Sequence, residues 1–318
     1  MVSVCVVGEV VLDCVVQNEH VSKVPGGCAA NQALALSRFG ATVDLRARYS
    51  TDENGRFLKN FIAGQGVRVE NSIDANEPAL VITITKDSAG HPTFNYGELL
   101  DCADWQWTEQ EISKPLLESC DAILTGSMAS VFPPGGTVLL EWATAQQHSG
   151  KNIFFDLNIR SGAFTDLAES EIRSLYDQWI AIATVIKVSD EDLLWWAPNE
   201  SAEVVAAKLS TVGPKLVALT QGPAGVTVFA NGQKICQVAA PKVTVADTVG
   251  AGDTFFAWLT AGLMELPSDL RFDLDLVTSV LHDAVFASAF NCTKTGCNPP
   301  TSAELADFVA SLPETAIG

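Results

Sequence analysis

In DTVGAGDTFFAWL, residues 247–259, two acids bracket a glycine turn that runs straight into an apolar segment. Glycines let a backbone curl until several N–H groups point one way, and the start of a helix adds its positive dipole end. Gly250, Ala251 and Gly252 would then cradle an anion. Asp253 sits oddly beside a pure phosphate cradle, because it adds a like charge. It fits as a general base that takes a hydroxyl proton while the cradle holds a transferring phosphoryl group. The plainer account is that Asp253 caps the helix and the glycines turn the chain. Taken alone, the stretch supports both.

Two further stretches carry residues of similar use. In VPGGCAANQALALSRFGA, Gly26 and Gly27 permit close backbone approach to a ligand, and Asn31 offers both a donor and an acceptor. A glycine loop entering a helix, with Asn31 bonded to backbone, explains the same letters. In FFDLNIR, Asp156, Asn158 and Arg160 follow an apolar strand-like run. Alternate strand residues share a face, so the three are expected to point together, with Arg160 clamping phosphate. A solvated strand end with an ion pair is the competing account.

These residues need elements to hold them. Apolar runs at 2–7, 42–48, 122–125, 152–156, 185–188 and 216–220 read as strands, and β-branched 243–245 reads as a short one. Helical spacing fills 29–39, 55–63, 136–148, 169–181, 201–210 and the stretch from 255. Alternating strand and helix predicts an α/β fold: a mostly parallel central sheet with helices on both faces. Ligands in such sheets bind at the carboxyl ends of the strands. Residues 13–24 and 79–96 break the alternation and are strand-like throughout, the second as a hairpin turning near 87–90. They predict a small sheet apart from the main one.

The 318 residues are 47% hydrophobic, enough for a large core. The net charge of −19 disfavours nucleic acid and anionic membranes as partners. Eight cysteines without a CxxC pair read as free thiols in a reducing compartment. The apolar N-terminal run lacks a basic flank and is interrupted by Glu9 and Asp13, so it reads as a strand rather than a signal peptide. The expected location is the cytoplasm.

Together, DTVGAGDTF, PGGCAANQALALSRFGA with DENGRFL after it, and GEVVLD at 8–13 resemble the ribokinase family of carbohydrate kinases, also called the phosphofructokinase B family. The resemblance covers nearly the whole chain, in order. It implies one ribokinase-like domain over 1–318, with lid segments at about 13–24 and 79–97 that cover the sugar. It implies transfer of the ATP γ-phosphate, with Mg²⁺, to a sugar hydroxyl. By position it makes Asp253 the base and Gly250–Gly252 the anion hole, with Arg160 near the phosphoryl path. Asp13, Gly26, Gly27, Asn31 and Asn158 would bind substrate. Ser189, Thr220, Gly222 and Gly225 would lie near the nucleotide, Asp192 would reach Mg²⁺ through water, and Asp247 would sit beside a potassium ion. Lid-to-lid homodimers occur in the family. FFDLNIRSGAF and IKVSDEDLLWW look most like fructokinases. Three positions depart: Gly97 where an Arg usually follows the lid aromatic, Ser189 to Asp192 for an NxxE motif, and Val285 for a late Asn near the adenine. The implied acceptor is a small neutral sugar, D-fructose first. Alternatives are 2-keto-3-deoxygluconate, ribose, a nucleoside, or a sugar-binding regulator with weak turnover.

Overall fold

The structure is a computed structural model that describes residues 2–313 apart from 18–19, 87–91, 98 and 166. In chain order its strands are Ser3–Val7 (β1), Val11–Gln17 (β2), His20–Gly26 (β3), Thr42–Arg46 (β4), Arg48–Ser50 (β5), Ile73–Ala75 (β6), Val81–Lys86 (β7), Pro92–Asn95 (β8), Ala122–Gly126 (β9), Asn152–Asp156 (β10), Val185–Ser189 (β11), Leu216–Thr220 (β12), Val226–Ala230 (β13) and Gln233–Val238 (β14). The helices are Cys28–Phe39 (α1), Glu53–Gly64 (α2), Glu109–Ile112 (α3), Gly135–His148 (α4), Glu169–Ile182 (α5), Asp190–Trp196 (α6), Ala202–Leu209 (α7), Ala251–Glu265 (α8), Leu274–Cys292 (α9) and Ser302–Ser311 (α10).

Eight strands form one sheet in the order β14-β13-β12-β11-β10-β9-β1-β4. Pairing is parallel from β4 through β12, and only the β12–β13 and β13–β14 pairings are antiparallel, so β13 alone runs against the rest. The period of two along each strand sorts side chains to opposite faces. Val4, Val6, Phe154, Val185 and Ala218 enter one core with residues of α1, α2, α8 and α9. Cys5, Val7, Phe155, Ile186 and Leu219 enter the other with residues of α4, α5, α6 and α7. Both faces are covered, which is why these strands read as continuous apolar runs.

A separate sheet has the order β3-β2-β7-β8, with β2 and β7 parallel at its centre. It is built from the two stretches that broke the alternation, and β7 pairs antiparallel with β8 as a hairpin should. The turn expected near 87–90 lies outside the described residues.

Two expectations fail. The run 42–48 is not one strand: it breaks at Ala47, whose N–H turns to the Ser72 hydroxyl at 3.2 Å, and β5 pairs with β6 instead. Residues 243–245 form no strand, since Val245 is 57% exposed and offers no face to a sheet. The glycine turn therefore stands at a loop-to-helix junction. The eight cysteines are all free. Among the described residues no helix is long and apolar enough to cross a membrane.

Candidate active site

Helices α1 and α8 pack against each other, and their N-termini meet over the carboxyl end of the sheet. Gly27 begins α1 at φ 100°, and a Cβ there would stand 2.6 Å from the Glu9 carbonyl. A Cβ on Gly26 would stand 2.8 Å from a carboxylate oxygen of Asp13. The pair of glycines thus seats α1 hard against the chain leaving β1. Gly250 begins α8 at φ 73°, in the left-handed region, and a Cβ there would overlie Cys297 Sγ.

Across this junction Asn31 Nδ2 donates to Asp253 Oδ2 at 2.8 Å, and both residues are 8% exposed. Beneath them the Asp156 carboxylate, fully buried at the end of β10, accepts from Lys187 Nζ at 3.0 Å and from Gln32 Nε2 at 3.2 Å. Lys187 also backs the glycine turn, its ammonium 3.2 Å from where a Gly252 Cβ would lie. Burial opposes its charge, but the carboxylates of Asp156, Asp192 and Asp253 outweigh that and hold it protonated. Cys28 Sγ and carboxylate oxygens of Asp156 and Asp253 lie within 4.8 Å of one another. Burial, with the Asp253 and Asp156 charges beside it, pushes the Cys28 thiol well up, so it stays protonated.

The FFDLNIR residues converge, though not as a strand face. Strand β10 ends at Asp156, and Asn158 takes φ 37°. The Ile159 N–H is caught by Asp192 Oδ1 at 2.7 Å. A latched loop, not strand alternation, therefore presents Arg160. The Asp253, Asp192 and Asp156 carboxylates raise the affinity of its guanidinium for its proton, against partial burial. Burial lifts the Asp13 carboxyl to about 6, and Arg160 opposes the lift. Tyr96 feels both charges, and its ring lies 3.7 Å from where a Gly162 Cβ would be. A second strained residue, Ser127 at φ 56° and ψ −150°, follows β9 directly and hydrogen bonds through its N–H to the Asp156 carbonyl at 3.0 Å.

Ser189 and Asp192 form a reciprocal capping box on α6. The second Asp192 oxygen accepts the Ser189 N–H at 2.8 Å, so each oxygen already has a backbone donor. Asp247 also has local work: its oxygens accept the N–H groups of Val249 at 3.1 Å and Gly296 at 2.9 Å. Asn291 strengthens the same latch by donating to the Val249 carbonyl at 2.8 Å. Thr220 closes β12 on the same sheet edge, and Gly222 and Gly225, at φ 52° and 88°, make the tight turn into β13. Gly97 is exposed at φ 62°, with open space where a side chain would go. Val285 is 3% exposed within the main core.

Sequence reasoning overlooked Lys187 and Gln32. Lys187 had a signal: one cation inside the apolar strand VIKVS must find a buried partner. Gln32 had none, because its neighbours give no hint that α1 turns it toward β10.

The chain matches the pfkB family carbohydrate kinase profile over residues 1–304 and belongs to that family of carbohydrate kinases. Its sequence is 30% identical over 261 residues to a fructokinase of Klebsiella pneumoniae, covering 81% of this chain and 83% of that one. Its fold is similar to aminoimidazole riboside kinase from Salmonella enterica, solved with aminoimidazole riboside and an ATP analog (TM-score 0.83, 24% identity, 96% of this chain and 99% of that one). It is similar too to a double-mutant fructokinase from Vibrio cholerae in a fructose-, ADP- and potassium-bound form (TM-score 0.82, 23% identity, 97% and 98%). The α/β fold is thus ribokinase-like, and the enzyme is a sugar phosphotransferase.

Proposed function

We infer that this kinase uses ATP to phosphorylate a small neutral sugar, D-fructose first, giving fructose 6-phosphate. The observation that carries the reading is the Asp253 carboxylate at the head of α8, aimed by Asn31 at 2.8 Å. A sugar hydroxyl donating to Asp253 loses its proton there as its oxygen bonds to the γ-phosphorus, the bond from that phosphorus to the β,γ-bridging oxygen breaks, and ADP leaves. The N–H groups of Gly250 and Gly252 face the phosphoryl group, that of Ala251 donating to the Thr248 carbonyl at 3.2 Å within the same turn, and Arg160 and the buried Lys187 supply positive charge around it. Asp13, Gly26, Gly27, Asn31 and Asn158 hold the sugar. Ser189, Thr220, Gly222 and Gly225 line the nucleotide's approach along the same sheet edge. The small sheet acts as a lid that excludes water when sugar binds, and its outer face suits a lid-to-lid homodimer, with Val21 58% exposed.

A divalent ion, magnesium in our reading, enters with ATP and draws charge from its phosphates. Carboxylates are the donors such an ion wants. Asp192 fits through water, because both of its oxygens already accept backbone N–H groups. Potassium beside Asp247 is supported by the ion bound to the Vibrio cholerae relative. Gly97 leaves no lid guanidinium for an anionic sugar, and the net charge of −19 repels one. Eight free thiols suit a cytoplasmic enzyme.

Coupled ADP release over a panel of fructose, 2-keto-3-deoxygluconate, ribose and nucleosides identifies the acceptor. With that acceptor, Asp253→Asn should keep sugar affinity and lower kcat by about 10² to 10⁴. A variant retaining more than about a tenth of kcat would show that the carboxylate is not the base. No ADP release with any acceptor would favour a sugar-binding regulator.

A further inference from the structure

The chain enters or leaves the small sheet four times: β1 to β2, β3 to α1, β6 to β7, and β8 to the short helix Ala103–Trp105. Two of these passages share one anchor. The Val10 N–H, immediately before β2, donates to Asp104 Oδ1 at 2.9 Å in a buried bond. The Leu80 N–H, immediately before β7, faces the same carboxylate and favours its charge. Asp104 lies in the helix that begins at the fourth passage, is 2% exposed, and among the described residues has no cation paired with it. A buried carboxyl without a counter-ion is costly to charge, and burial lifts this one to about 7; its oxygens face the feet of two strands.

Asp104 itself is fixed to the core. The Ala103 carbonyl accepts from Arg48 Nε at 3.0 Å, and the Ala103 N–H donates to the Pro78 carbonyl at 2.9 Å. The strands it holds are each other's neighbours: β2 and β7 pair in parallel, and Leu12 N–H reaches the Leu80 carbonyl at 2.9 Å. With Val10 pinned to Asp104 just before β2, and Leu80, just before β7, facing the same carboxylate and tied to Leu12, the two strands can tilt together about that point.

We propose that Asp104 is the pivot of the lid, a positioning residue that fixes where β2 and β7 turn and so where Asp13 meets the sugar. This rests on the small sheet being the lid proposed above. Asp13 stands three residues past Val10, about 10 Å at roughly 3.3 Å per residue. A tilt error of about 10° at the pivot then displaces it by about 1.7 Å, enough to matter for a group that must meet one hydroxyl.

The test is Asp104→Asn, equal in size but with only one oxygen, so that its amide N–H₂ group must face one of the two backbone donors. Measured with the sugar that drives the fastest ADP release in the wild type, sugar KM should rise about three- to tenfold, the scale of one lost buried hydrogen bond. ADP released per sugar phosphate should exceed one, while ATP KM stays within about twofold. Unchanged sugar KM with strict coupling overturns the pivot, as does a parallel loss of both KM values and thermal stability. Sugar dependence in the wild type reports on the proposed function; the variant-to-wild-type ratio reports on Asp104. Should the variant not fold, hydrogen exchange of the wild type decides. The Val10 and Leu80 amides should be equally protected with and without sugar while the rest of β2 and β7 slows. Slowing of all of them together overturns the pivot.

Discussion

Gly250 offers a perturbation whose cost separates into two parts. The residue has φ 73° and ψ 6°, and Gly250→Ala must take a left-handed backbone at about 1–2 kcal/mol. The new methyl would overlie Cys297 Sγ and stand 2.8 Å from Cys297 Cβ, an overpacking cost of about 1–3 kcal/mol. The sum, roughly 2–5 kcal/mol, is a large share of a typical 5–15 kcal/mol stability. Cys297→Gly removes both side-chain atoms, so the double variant should recover the overpacking part and keep the backbone part. The coupling energy in a urea-unfolding cycle is then about 1–3 kcal/mol in the compensating direction. Kinetics should follow: if the turn holds the phosphoryl group as proposed, Gly250→Ala lowers kcat/KM for ATP, and Cys297→Gly restores part of it. A single variant within about 0.5 kcal/mol of wild type, or a coupling below about 0.5 kcal/mol, would refute the geometry.

Asp13 gives a pH prediction. Burial lifts its carboxyl from 3.8 to about 6, so kcat/KM for the sugar should fall as pH drops through about 6, while kcat/KM for ATP holds. For stability the sign is opposite: this group's contribution is full below 3.8 and lost as pH rises through about 6. A sugar profile flat from pH 5 to 7.5 would remove Asp13 from the sugar site. Asn31→Ala leaves Asp253 without its side-chain donor and should lower kcat about 10- to 100-fold with melting temperature little changed, a split seen by pairing steady-state rates with thermal scans. Replacing sodium by potassium at constant ionic strength should raise the rate several-fold, about 2- to 10-fold; equal rates would leave Asp247 as a purely structural latch. Fructose should exceed 2-keto-3-deoxygluconate in kcat/KM, and the reverse order would end the neutral-sugar assignment.

The strands that pack on both faces were legible because burial forces unbroken apolar runs, and β10 and β12 fall on the expected residues. Helix α1 was legible to its end because Gly40, at φ 107°, closes it in the left-handed conformation that glycine favours. What misled was β-branching without a partner: Val243 to Val245 have strand propensity but no neighbouring edge to pair with. The site was readable where glycines punctuate it and opaque where a loop turns back. Nothing local announces that Asp192 would catch Ile159, or that Asp156 would draw in Lys187 and Gln32 from two other elements. Those contacts are fixed by the crossing of β10, β11 and α1, which no short window contains.

Among the described residues, three other than glycine hold positive φ, and Asn231 merely turns the β13–β14 hairpin. The other two, Ser127 and Asn158, lie just past the ends of the neighbouring strands β9 and β10, beside Asp156. Each costs about 1–3 kcal/mol to keep. A laboratory selecting this enzyme for heat resistance alone would therefore be drawn to glycine at 127 and 158 early. Such variants would melt later and turn over more slowly, because the same relaxation would loosen the loop that presents Arg160 and the turn after β9 that bonds to Asp156. Durability and speed are opposed at these two residues, and positions far from the strand ends are where the enzyme can be hardened without that conflict.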